Sequence, residues 1–492
     1  MNLKGLKSGT DIRGVAMGDR VTLCGEAVKR LAAGFAVFVK NRCNDKNKDS
    51  FKIAIGHDSR LSAKNLSEAA IEGLRSECSE VLFCGLSSTP AMFMTTVLND
   101  CDGAIMLTAS HHPKDRNGAK FFLRQGGISK TDLDEIIKNA EEYKFLGDNK
   151  GARLVCGDFL GDYCEYVKNY FIRELGETKP LSGYKIAVDA GNGAAGFYAT
   201  KILQPLGADI SSSQFLDPDG NFLNHVPNPE DKEAIESISK RVLETKSDLG
   251  IIFDTDGDRS AIVLKDGKEI NRNRLIAMIS AVIIEQNTSV SPIIVTDSVT
   301  SEGLKEFIES LGGVHIRYKR GYQNVIGYAK KLCDEGQNAP LAIETSGHGA
   351  LRENFFLDDG AYLAAKLLIK AIKLKREGKD LSDLIEDLKE PLEEKAFRIA
   401  LNMANWKEVG QKVLDGLEEF GRKNYRVAED SFEGIRVYLE GGFFMARMSV
   451  HDPVVAVNIE TDNVGGAKKI ESIVLDIIED VIDGSDEWMI LR

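Results

Sequence analysis

The chain has 492 residues, 43% of them hydrophobic and 28% charged, with a formal net charge of −13. Such a length predicts about two to four domains with sizeable cores. The acidic balance is broken by no long basic run, which argues against nucleic acid or an anionic membrane surface as the main partner. The eight cysteines (Cys24, Cys43, Cys78, Cys84, Cys101, Cys156, Cys164 and Cys333) show no Cys-x-x-Cys pair and no zinc spacing. They read as free thiols of a reducing compartment. The N-terminus has no signal-peptide pattern, and the longest apolar run, 275–284, is far short of the roughly 20 residues a membrane helix needs. The expectation is a cytoplasmic protein.

In chain order, residues 6–14 (Leu-Lys-Ser-Gly-Thr-Asp-Ile-Arg-Gly) are dense in glycine and polar residues and predict a loop. A helix is expected over 24–39, a strand ending in a polar loop over 52–60 (Lys-Ile-Ala-Ile-Gly-His-Asp-Ser-Arg), and a helix over 63–75. The apolar run 104–107 then predicts a buried strand that stops at Thr108-Ala109-Ser110; Pro113 cannot extend a ladder, and Asn117-Gly118 signals a turn. Ser110 would sit on a strand-end loop, where open α/β sheets usually bind ligands.

A comparable order of elements recurs twice. A strand at 185–189 leads through Ala-Gly-Asn-Gly193 and a helix to a strand over 249–253; a strand at 292–297 leads through a helix to a strand over 341–343. Three copies of strand, loop, helix and strand predict three duplicated α/β domains rather than a short-period array. The turn-rich segments 217–222 and 227–230 read as structural connectors. The last hundred or so residues alternate strand-like segments (434–439, 443–448, 454–459) with a helix over 464–482, an α+β domain of another kind.

Asp254-Thr-Asp-Gly-Asp-Arg259 places three carboxylates at alternate positions directly after a strand, so their oxygens share one side. Uncompensated, they would repel; a divalent cation relieves this. An EF-hand is excluded, because its sixth and twelfth positions, Gly and Glu, are here Arg259 and Lys265.

Thr-Ala-Ser110-His-His-Pro followed by Asn-Gly-x-Lys120 resembles the phosphoserine loop of the α-D-phosphohexomutases, the phosphoglucomutase and phosphomannomutase enzymes. The Asp-Gly-Asp-Arg loop, the opening Gly-Thr-Asp-Ile-Arg13-Gly, Glu344-Thr-Ser346-Gly-His348 and Arg447-Met-Ser449-Val-His-Asp-Pro453 resemble the family's other motifs, in the family's order. The resemblance covers essentially the whole chain. It implies three related mixed α/β domains plus a C-terminal α+β domain around a central cleft, expected at 1–157, 158–269, 270–385 and 386–492.

It also implies roles. Ser110 carries the phosphoryl group and helps hold Mg²⁺ with Asp254, Asp256 and Asp258. Lys120 is the general acid/base, and Arg13 faces the catalytic phosphate. Arg259, Glu344, Ser346 and His348 bind substrate, with Glu344 and Ser346 on the ring hydroxyls O3 and O4. Arg447 and Ser449 hold the distal phosphate. The implied reaction exchanges the 1- and 6-phosphates of glucose or mannose through a hexose 1,6-bisphosphate, in a monomer or homodimer with no nucleic acid or membrane partner.

Four departures stand out. The opening loop lacks one Gly, His112 replaces a usual Asn, and Ile343 replaces a Gly. Val450-His451-Asp452 replaces Gly-Thr-Glu in the phosphate loop, where an imidazole at 451 would be expected to have a raised pKa. Phosphoglucosamine mutase, a metal-dependent sugar phosphatase and a non-catalytic sugar-phosphate sensor are the alternatives.

Overall fold

The computed structural model describes residues 2–42, 51–145, 152–287, 289–429, 431–449, 452–482 and 488–491. The chain falls into two units: Met1–Val282 with Pro340–Ala342 and Ser346–Leu384, and Ile283–Ala339 with Ile343–Thr345 and Ile385–Arg492.

Among the described residues the first unit contains two whole sheets and, apart from them, the antiparallel pair Gly349–Leu351 and Leu357–Asp358. Among the described residues the larger has eight strands, ordered Lys7–Ser8, Asp11–Val15, Arg116–Leu123, Gly103–Leu107, Lys52–His57, Glu80–Leu86 and Arg153–Cys156, with Gly126–Gly127 beside Arg116–Leu123. Gly103–Leu107 is parallel to Lys52–His57 and antiparallel to Arg116–Leu123. It is buried along its whole length, as an uninterrupted apolar run requires. Helices Gly25–Arg42, Ala63–Arg75 and Lys130–Glu142 pack together on this sheet, joining Leu31, Phe35 and Phe38 to Ile53, Ile105 and Ile136 in one core. Ser129 and Asp132 form a reciprocal capping box that starts the third of these helices.

Two sequence expectations change here. Residues 6–14 are not an open loop: Asp11–Val15 is a strand turned back on Lys7–Ser8. Asn117-Gly118 is not a turn but the start of the strand Arg116–Leu123, with Gly118 opposite Arg13. The physical reason is close approach. A Cβ on Gly118 would lie 2.2 Å from Ile12 O and 2.7 Å from Thr108 O, so this glycine admits two neighbouring strands.

The smaller sheet runs Glu269–Ile270, Ser260–Leu264, Leu249–Phe253, Ile186–Asp189. Leu249–Phe253 is parallel to Ile186–Asp189 and antiparallel to Ser260–Leu264, so the acidic loop 254–259 is the tip of a hairpin. Helix Lys232–Thr245 covers it, with Ile238 and Val242 against Ala187, Ile252 and Val263. The helix expected after Gly193 is a wide-turned π stretch, Tyr198–Leu203, in which Gln204 N donates to Ala199 O five residues back.

In the second unit, Ile293–Asp297 pairs in parallel with Val314–Tyr318. The C-terminal sheet is antiparallel, in the order Arg426–Val427, Ile435–Leu439, Gly442–Met448, Val454–Thr461, Glu393–Leu401, Trp488–Leu491. Alternate residues (Phe397, Ile399, Leu401; Val455, Val457, Ile459) face helices Trp406–Asn424 and Gly466–Val481, the α+β arrangement expected. Among the described residues no helix is long and apolar enough to cross a membrane, and the seven described cysteines are free.

Candidate active site

Ser110 follows the strand Gly103–Leu107 and is 4% exposed. Its φ is +49°, a left-handed conformation that costs a non-glycine residue about 1 kcal/mol. Thr108 supports it: Ser110 N donates to Thr108 Oγ1 at 2.8 Å. The Ser110 hydroxyl donates to Asp254 Oδ2 at 3.1 Å. Arg259 Nη2 lies 2.9 Å from His111 Nδ1; a guanidinium only donates, so Nδ1 is the acceptor and carries no proton. Burial and then Arg259 push His111 down to about 3. Burial and then Arg13 push His112, stacked on it, to about 4. Both imidazoles are neutral near pH 7.

Asp254, Asp256 and Asp258 are at most 1% exposed, and one oxygen from each lies within 4.8 Å of the others. Lys120, on the strand Arg116–Leu123, reaches in from the side, with Nζ 3.1 Å from Asp256 Oδ2 and paired with Asp258. Thr89 Oγ1 donates to Asp256 Oδ2 at 2.6 Å, and Arg259 Nε donates to Asp254 Oδ2 at 3.1 Å. Burial, and then the Asp258 and Asp256 charges, raise the Asp254 pKa. For Asp256 and Asp258 burial pulls the same way, but their neighbours, Lys120 foremost among the cations, prevail and hold both low.

Asp256 Oδ1 and Asp258 Oδ1 are buried and accept no hydrogen bond. Buried carboxylate oxygens without partners are costly. Three converging carboxylates with two such oxygens fit a hard divalent cation. Arg13, opposite Gly118 in the ladder, donates from Nη2 to Asp11 Oδ2 at 3.0 Å and adds positive potential at Asp256 and His111.

His348 bridges to Arg259 through the backbone, and Arg259 Nη1 donates to Ser346 O at 3.3 Å, so Ser346 and His348 join the same unit's site. His348 Nδ1 is paired with Asp358 and lies 3.9 Å from Asp258 Oδ1. Burial disfavours its charge, but Asp358 and Asp258 prevail and raise it to about 9. Asp358, not singled out from the sequence, stands with Asp359 directly before the helix Gly360–Arg376, where a carboxylate ordinarily serves as a cap. Only Asp359 caps, accepting from Tyr362 N at 2.9 Å and from the Tyr163 hydroxyl at 2.6 Å. A cap needs one carboxylate, and the second was the signal.

The second unit holds Glu344, Arg447 and Ser449. Glu344 accepts from Gly321 N at 2.6 Å. Arg447 Nε faces Glu433 at 3.9 Å, and that carboxylate also accepts from Arg320 N at 3.0 Å. Arg320, which sequence reasoning passed over, therefore neighbours both Glu344 and Arg447; its Nε lies 3.7 Å from the buried Asp297. Burial lowers the Arg447 pKa, opposed by Glu433. Ser449 Oγ accepts from Asp452 N at 3.2 Å. Val450 and His451 lie outside the described residues.

Models of the phosphoglucomutase/phosphomannomutase α/β/α domains I, II and III match residues 5–146, 161–267 and 271–392. A phosphomannomutase of Methanocaldococcus jannaschii is 30% identical over 438 residues, covering 88% of this chain and 91% of the relative. A phosphoglucomutase of Neisseria meningitidis serogroup A is 27% identical over 475 residues, covering 95% of each. The crystal structure of a phosphoglucomutase/phosphomannomutase family protein from Burkholderia thailandensis superposes with a TM-score of 0.78 at 27% identity over 96% of each chain. With three successive domain models matched and a relative at 30% identity over most of its length, the chain belongs to the phosphoglucomutase/phosphomannomutase family, the α-D-phosphohexomutases, and is a hexose-phosphate mutase.

Proposed function

We propose that the chain exchanges the 1- and 6-phosphates of glucose or mannose through a phosphoserine at Ser110 and a hexose 1,6-bisphosphate. The observation that carries this reading is the Ser110 hydroxyl, buried and 3.1 Å from Asp254 Oδ2, beside carboxylates with two oxygens that accept no hydrogen bond. Asp254, Asp256, Asp258 and the Ser110 oxygen would hold Mg²⁺, which when bound supplies charge neutralisation at the phosphoryl oxygens. The bond from phosphorus to Ser110 Oγ breaks as one forms to a sugar hydroxyl, and the proton of that hydroxyl leaves to Lys120 in its neutral amine form, the form that a cation held on the neighbouring Asp256 and Asp258 would favour. In the return step the other phosphate is transferred to Ser110.

Arg259 and Arg13 orient the phosphoryl group, and His348 contacts substrate beside them. Glu344 and Ser346 bind O3 and O4 in either orientation of the ring, while Arg447 and Ser449 bind the phosphate that is not reacting. The division of labour follows domains at 1–157, 158–269, 270–385 and 386–492, in a cytoplasmic enzyme.

The test is Ser110→Ala against wild type, by intact mass and by coupled assays on glucose, mannose and glucosamine phosphates. Wild type should carry one phosphoryl group on Ser110 in a sizeable fraction of molecules, and the variant should have no mutase activity. A fully active variant would sink the phosphoserine reading. Net release of phosphate would favour a phosphatase, and binding without turnover a sensor.

A further inference from the structure

The polar turn after the strand Lys52–His57 has no part in the chemistry above, yet its arginine donates four side-chain hydrogen bonds to the segment that begins at Ser110. Arg60 is 2% exposed. Its Nη1 donates to Pro113 O at 2.7 Å and Arg116 O at 2.8 Å, and its Nη2 to His112 O at 2.6 Å and to Ser110 O. Four carbonyls of one loop thus converge on one guanidinium. Lysine has the charge but not the planar fork that could serve them together.

Asp58, fully buried, completes the device. It faces Arg60 Nε at 3.2 Å, accepts from Arg60 N at 3.0 Å, and accepts from Thr108 Oγ1 at 2.7 Å. Thr108 Oγ1 in turn accepts from Ser110 N. Both sides of Ser110 are therefore fixed: its N–H through Thr108 and Asp58, its C=O through Arg60. The connector 217–222 braces the turn from outside. A Cβ on Gly220 would lie 2.6 Å from both Ser59 O and Leu61 N, and the Phe222 ring lies 5.5 Å from the Arg60 guanidinium.

We propose that Asp58 and Arg60 are positioning residues, a buried clamp that holds Ser110 in its left-handed conformation and thereby aims Oγ for phosphoryl exchange. A left-handed serine persists only where its surroundings over-determine it, and a small misplacement of a nucleophile is costly in rate. The inference rests on the phosphoserine reading of Ser110.

The experiment measures, in wild type, Arg60→Lys and Thr108→Val, the single-turnover transfer of a radiolabelled phosphoryl group from Ser110 to hexose phosphate, together with KM, Mg²⁺ affinity and thermal stability. Thr108→Val leaves Arg60 in place and serves where Arg60→Lys fails to fold. The clamp predicts transfer slowed at least a hundredfold, with KM and Mg²⁺ affinity within about threefold of wild type. It also predicts that added guanidinium ion partly restores transfer in Arg60→Ala, which a loss of stability alone would not allow. Wild-type transfer rates in the folded variants overturn the inference and leave the phosphoserine reading standing. A wild-type protein that takes no label on Ser110 overturns both.

Discussion

Lys120→Met tests the electrostatics of the site most directly. The ammonium is 4% exposed and lies 3.1 Å from Asp256 Oδ2, with Asp258 closer still. At an effective dielectric of about 20, a unit charge pair at 3.1 Å attracts by about 5 kcal/mol. Net of desolvation, removing one partner of a buried pair typically costs about 3–5 kcal/mol, because the other charge is left uncompensated. In protein treated with a chelator, Lys120→Met should therefore be less stable than wild type by about 3 kcal/mol in denaturant titrations. Saturating Mg²⁺ should return most of that loss, since a cation that binds only the folded state stabilises it. Calorimetric titration should show Mg²⁺ bound at least tenfold more tightly, because no ammonium then opposes it. Activity should nevertheless fall a hundredfold or more, the usual contribution of a general acid/base. A variant that is as stable as wild type in chelator, or that binds Mg²⁺ more weakly, refutes this account of Lys120.

Gly118→Ala should lower stability by about 2–3 kcal/mol and cut kcat at least tenfold, because its methyl meets the backbone of Ile12 and Thr108; an unchanged melting temperature would contradict the close-approach argument. Glu460 is pushed up to about 8 by burial, opposed by Arg436 and reinforced by Glu394. A carboxyl raised in the folded state loses stability as pH climbs from the unfolded value towards the folded one. Glu460→Gln should thus stay close to wild type near pH 5 and exceed it by about 3–4 kcal/mol near pH 8; parallel stability profiles would rule this out. Glu344 and Ser346 are assigned to two ring hydroxyls and no residue to O2, so glucose and mannose phosphates should turn over with comparable kcat/KM. A preference beyond about a thousandfold, or about 4 kcal/mol, would reveal an O2 contact.

The sequence by itself determined much of this protein. The apolar run ending at Ser110, the alternating carboxylates 254–258 and the helix 63–75 are local signals, each set by a periodicity or a breaker within a few residues, and each stands in the fold as expected. The family resemblance likewise rests on short contiguous motifs. What only the tertiary structure decided are relations between segments far apart in the chain. Asn117-Gly118 has the composition of a turn, but the approach of Ile12 and Thr108 makes it a strand. Asp358 reads as half of a helix cap until His348 folds beside it. Arg60 looks like an ordinary turn residue until the carbonyls of a loop some fifty positions later close on its guanidinium. Local propensity acts over a turn or two of chain, whereas the partner of a buried charge is chosen by packing, and packing brings it from anywhere in the sequence.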